Sequence, residues 1–109
     1  MSLTDAVLSR VRILMARVGE PVTITAGATT TTVPVVITAL TASRRHAWFG
    51  ASETSGWTLP GLLVRAAGDL GDTAPVGATF TREGRTFTVR KIERVRLAGV
   101  VVQTMLMCA

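Results

Sequence analysis

Among its 109 residues the chain has one cysteine, one histidine and no tyrosine. These scarcities exclude a good deal. The lone thiol, Cys108, can neither close an intrachain disulfide nor join a cysteine cluster around zinc, and this sparing use fits a reducing cytoplasm. The single imidazole, His46, lies beside Arg44 and Arg45 with no neighbour to set its tautomer, so a Ser-His-Asp arrangement has little to build on. A solvated histidine is the simpler reading.

Carboxylates are also few, seven in all. Asp69 and Asp72 fall in a Gly-rich stretch, where Asp commonly bonds its own backbone, Glu83 occupies a turn, and Glu93 sits between cations that it neutralises. Gly68 and Gly71 lack the lysine or the helix-opening context of a phosphate-binding loop. No catalytic, metal or cofactor residues are therefore assigned, and a non-enzymatic chain is expected. No apolar run approaches the roughly 20 residues of a membrane-spanning helix, so no membrane partner is expected.

Lysine is nearly missing too: of twelve cations only Lys91 is not arginine, and the formal charge is +5. Arginine neutralises phosphate, but its bidentate geometry serves protein contacts equally well, so charge alone leaves both classes of partner open. Six cations are concentrated late in the chain, at Arg82, Arg85, Arg90, Lys91, Arg94 and Arg96. On a barrel wall they could form a stripe that tracks a nucleic-acid backbone, with Phe80 or Phe87 stacking bases. Those two rings alternate with threonines as core residues do, which favours a solvated or protein-facing basic surface.

The chain opens with Ser2, Leu3, Thr4 and Asp5, a capping box with Asp in place of Glu. Val7, Val11, Leu14 and Val18 follow at spacings of four, three and four, joined by Leu8 and Met15. A helix over residues 4–17 is predicted, ending at Gly19 before Glu20 and Pro21. Arg10, Arg12 and Arg17 are dispersed through it, unlike the charges of a secretory leader; an Arg-bearing amphipathic start also occurs in mitochondrial presequences, against which Asp5 counts.

After Gly19 the period changes to two. Val22 and Ile24 alternate with threonines in a first strand, residues 26–32 read as a connection, and residues 33–40 form a second strand with Pro34 at its start or on an edge. Residues 41–56 break the periodicity and read as a long loop, a common location for function. Arg44, Arg45, His46, Trp48 and Phe49 lie in it and Trp57 follows it, a set rich in the residue types that anchor protein interfaces. Extended character resumes over residues 57–66, with Pro60 and Gly61 able to kink or bulge the strand. Residues 68–77 form a turn-rich connector. Residues 79–89 are a hairpin about Glu83 and Gly84 with Phe80, Phe87 and Val89 inward. The alternation slips between Val89 and Ile92, which predicts a bulge near Arg90 and Lys91. Ala98 and Gly99 turn the chain into a last strand over residues 100–107.

A single mainly β domain is expected over residues 1–109: an N-terminal helix within 1–19, then a small antiparallel barrel or sandwich of about six strands over 20–109, with one long loop. The order of these pieces resembles the lambda-type head-tail joining (head completion, or neck) proteins of long-tailed bacteriophages. The resemblance rests on the strand at residues 21–25, the strand at 33–40, the long loop, residues 62–66, residues 76–80 and residues 86–92. It implies a structural protein of the virion neck, made in the bacterial cytoplasm. Several copies would form a ring between a portal-side connector protein and a tail-terminator protein, making contacts through the barrel rim and the 41–56 loop, with possible contact to packaged DNA. The Trp57, Thr58, Leu59, Pro60 stretch and the slip after Val89 lie outside that pattern. A small nucleic-acid-binding barrel using the late basic residues is the alternative.

Overall fold

A computed structural model of the chain describes residues 2–40 and 61–109. Helix α1 spans Leu3–Val18, and both halves of its capping box form: the Asp5 amide donates to Ser2 Oγ at 3.1 Å, and the Ser2 amide donates to the Asp5 carboxylate at 3.4 Å. Six strands follow, β1 (Glu20–Ala26), β2 (Thr29–Leu40), β3 (Gly61–Ala67), β4 (Thr79–Arg82), β5 (Arg85–Leu97) and β6 (Val100–Cys108). They close a barrel in the order β1-β2-β3-β6-β5-β4, every neighbouring pair antiparallel. The predicted architecture is thus observed, as a barrel rather than a sandwich.

Turn chemistry sets the hairpin registers. At Glu83-Gly84 and at Ala98-Gly99 both residues have positive φ, 53° and 76° in the first and 51° and 81° in the second. This is the backbone of the mirror-image turn that matches strand twist in two-residue hairpins. The connection expected over residues 26–32 is shorter: only Gly27 and Ala28 separate the strands, and Thr29 to Thr32 pair with Ala26 to Thr23. The threonines are β-branched strand formers, and Thr23 and Thr32 share a hydroxyl hydrogen bond of 2.9 Å across the ladder. The bulge expected near Arg90 is present, since Val89 faces Cys108 and Lys91 faces Met107. A second irregularity, between Val95 and Arg96, leaves no periodicity signal in β5.

Alternate residues of the strands fill the barrel. Ile24, Val35, Val64, Phe80, Phe87, Val89 and Leu106 are all buried in one cluster, and the rings of Phe80 and Phe87 stack with centroids 5.5 Å apart. Thr104 is the buried polar residue among the described strands. Its hydroxyl donates to the Gly68 carbonyl at 2.7 Å and accepts from the Leu70 amide at 3.4 Å, tying the connector after β3 to β6. A smaller cluster, Leu63 and Met107 with Met105, forms on the other face of the β3–β6 pair.

Closure is weakest between β1 and β4, which share one paired position, Thr25 with Thr79. A groove of about 380 Å³ separates the rest of the two strands, lined by Pro21, Val22, Thr23, Thr25, Thr79, Phe80 and Thr81. Beyond it the Arg82 guanidinium reaches the Glu20 carboxylate at 3.1 Å and joins the splayed strand ends.

Helix α1 packs against β2, β3 and β6. Its docked side is rotated from the expected stripe: Thr4 and Met15 are buried and Val7, Leu8 and Val11 half-buried, whereas Leu14 and Val18 remain 54% and 64% exposed. The reason lies at Gly19, where the chain turns at once into β1 and backbone approaches backbone closely, so Met15 rather than Leu14 faces the barrel.

Cys108 points into the main cluster, and burial pushes its thiol up to about 12. At pH 8 its thiolate is roughly a thousandfold rarer than in the unfolded chain. Ellman's reagent should therefore leave the native protein unmodified over the time in which the denatured protein reacts fully. Reaction at equal rates would contradict the packing. Because the folded pKa is raised above the ordinary 9.0, stability from the neutral thiol is complete below pH 9 and is lost as pH rises toward 12.

Candidate functional site

The six late cations do not share one surface. Arg82 and Arg85 face each other across the β4–β5 hairpin, in register with the inward pair Phe80 and Phe87. They therefore stand at the barrel mouth. Arg82 donates to Glu20 from both Nε and a terminal nitrogen, which raises its pKa further, and the Arg85 guanidinium lies 4.5 Å from the centroid of the Phe87 ring. With Leu62 and Glu83 these residues line a hollow of about 300 Å³.

Arg90 occupies the bulge and is exposed. Beyond it β5 resumes strict alternation. Ile92 and Arg94 stand opposite Leu106 and Thr104, and Lys91, Glu93 and Val95 stand opposite Met107, Met105 and Gln103. The first set continues the inward face and the second the outer face, so neighbouring cations are separated by the sheet itself. Arg94 Nε donates to Asp69 at 3.2 Å, and Arg96 is exposed near the hairpin tip. The Asp69 carboxyl is held below its ordinary range, first by the Gly71 amide at 2.9 Å and then by Arg94.

Base stacking on Phe80 or Phe87 has no geometric support, because both rings are buried and spend their faces on each other and on Arg85. Arg44, Arg45, His46, Trp48, Phe49 and Trp57 lie outside the described residues. Among the described residues, no three His, Cys, Asp or Glu side chains gather into a cluster that could hold a metal ion, and no helix is long and apolar enough to cross a membrane.

Two surfaces stand out. The first is the outer side of α1, where Leu3, Leu14 and Val18 are 74%, 54% and 64% exposed. At 100° per residue they lie within one 60° sector of the helix, with exposed Arg10 and Arg17 along its border. Between α1 and the barrel, Arg12, Val33, Pro34, Ala66, Ala67 and Leu70 line a mainly apolar cleft of about 330 Å³. No known family, curated protein or solved structure matches this chain. The function must therefore be argued from these surfaces.

The second is the far half of the β5–β6 ribbon. β3 accompanies β6 from Cys108 back to Gln103, and β4 accompanies β5 from Arg85 to Thr88. Past those points two strands continue as a pair to Ala98 and Gly99. Exposed Val95 and Val100 lie on it among the arginines. The sequence contained part of this information, in the slip after Val89 and the density of charge. Where the neighbouring strands stop was not in it.

Proposed function

We propose that this chain is a structural protein of the neck of a tailed-phage virion, joining the DNA-filled head on its portal side to the tail as a ring of several copies. The observation that carries this reading is the uncovered apolar strip of α1, Leu3, Leu14 and Val18 beside Arg10 and Arg17. A strip of this kind, left bare on a helix already docked along its other side, is suited to burial against a second protein surface. The element order supports the same reading, since β1, β2, β3 and β5 carry most of the segments on which the likeness to head-tail joining proteins rests. In a ring the strip of one copy meets a different surface of the next, a heterologous contact that closes by rotation. The portal-side connector and the tail terminator would occupy the two rims.

The double variant Leu14→Glu with Val18→Glu tests this. Two interface anchors at about 2 kcal/mol each amount to roughly a thousandfold in association. Ring mass by light scattering and the joining of filled heads to free tails in a complemented lysate should both collapse. Thermal unfolding of the single chain should stay near that of the parent, because both positions are exposed. Joining at the parental level would remove α1 from the mechanism.

A further inference from the structure

Beyond the bulge at Arg90, β5 has β6 on one side and, among the described residues, no strand on the other. The neighbouring segment ends its pairing at Val89, which exchanges backbone bonds with Ala78 and Gly77 at 2.8 and 2.9 Å. An antiparallel strand directs the N–H and C=O of every second residue to each flank, so among the described residues the outer flank of residues 92–97 has no strand partner. Such an edge invites another strand.

Its side chains say which strand. Arg94 and Val95 project to opposite faces, Arg96 follows the second irregularity of the ladder, and all three are exposed. A second copy pairing through the same edge would set these arginines against their own counterparts, on a chain already at +5. An oligonucleotide would find no exposed aromatic ring among the described residues on which to stack its bases. An added strand with acids on the arginine face and apolar residues beside Val95 satisfies backbone and side chains together.

We infer that the outer edge of β5, residues 92–97, accepts an extended segment of a partner protein, alternating acidic and apolar residues, as an additional antiparallel strand. This binding mode belongs to the single chain and stands or falls independently of ring formation.

The test uses the full-length protein and a fluorescein-labelled octapeptide alternating Glu and Val, followed by fluorescence anisotropy in about 0.1 M salt. Two isomers of the peptide carry N-methyl groups, one on every Glu and one on every Val. Only one edge of the peptide can face β5. One isomer should therefore lose at least about tenfold in affinity while the other binds like the parent. Arg96→Glu should lose a further tenfold or so with an unchanged circular dichroism spectrum. Equal weakening of both isomers, or of neither, would reduce the association to charge alone and overturn the inference. So would the absence of binding up to about 1 mM peptide. Tighter binding of a twelve-nucleotide oligothymidine that displaces the peptide would assign the surface to nucleic acid instead.

Discussion

Gly19→Ala should destabilise the protein by about 2–3 kcal/mol, the upper part of the range for overpacking a tight contact. Gly19 has φ −83° and ψ 175°, a conformation that alanine adopts freely, so backbone strain is not the cause. The cause is space. A methyl group at this position would collide with the Met15 carbonyl oxygen and would lie 2.6 Å from the Val35 carbonyl oxygen and 3.1 Å from its carbon. All three atoms are main chain and cannot swing aside. The Met15 carbonyl also accepts the Gly19 amide at 2.9 Å, the bond that ends α1. Relief therefore requires either opening that last turn or pushing β2 away. For a domain of this size the loss corresponds to a fall of roughly 10–20 °C in melting temperature. A melting temperature within about 2 °C of the parent would show that the helix does not enter the barrel as described.

Leu106→Ala is expected to cost more, about 2–5 kcal/mol. Leu106 is completely buried, opposite Val64 on one side and Ile92 on the other, in the stretch of β6 held by strands on both flanks. Truncation leaves a cavity walled by other strands of a closed barrel, which cannot collapse without breaking a ladder. Against a total stability of about 5–15 kcal/mol the variant approaches the limit of folding. Val100→Ala provides the contrast. A comparable truncation, smaller by one carbon, on a residue 44% exposed at the ribbon tip should stay within about 0.5 kcal/mol. Urea midpoints for the two variants distinguish a packed barrel from a loosely collapsed sheet. Similar, small shifts in both would favour the loose state.

The two surfaces assigned to binding answer to different variants. Substitutions at Leu14 and Val18 are expected to act on the proposed ring, and Arg96→Glu on the proposed strand addition. A defect in one assay with normal behaviour in the other separates the two roles. Neither set touches Gly19 or Leu106, so stability and binding can be read apart.

Much of this architecture was legible in the residues themselves. The capping box at Ser2, the stop at Gly19, the inward positions of Phe80, Phe87 and Val89, the tight turns at Gly84 and Gly99 and the bulge at Arg90 follow from local rules. Each depends on the conformational range of one residue or on burial that alternates with a period of two. Such signals survive without knowledge of what lies across the sheet. The threonines of residues 29–32 belong to a strand that local rules do not show: a polar, Gly-adjacent tract resembles a loop until its cross-strand threonines are known.

Tertiary structure decided the features that bear on function. Leu14 and Val18 belong to the apolar stripe by spacing, yet the close approach at Gly19 turns Met15 inward and leaves them bare. Glu20 and Arg82 are 62 residues apart and meet only because the barrel brings the ends of β1 and β4 together. The late cations lie within fifteen residues of one another, but the sheet sends Arg82 and Arg85 to the mouth and divides the others between two faces. Above all, the open edge of β5 exists because β4 is only four residues long while β5 is thirteen. The lengths of neighbouring strands, not any property of Arg94, Val95 or Arg96, leave one flank of their backbone without a strand partner among the described residues. The sequence alone determined that this would be a helix followed by a β-rich scaffold, because the switch from a helical period to a period of two after Gly19 is a local property of the residues. Which surfaces it offers to a partner depended on where distant strands stop, a nonlocal property that no residue carries by itself.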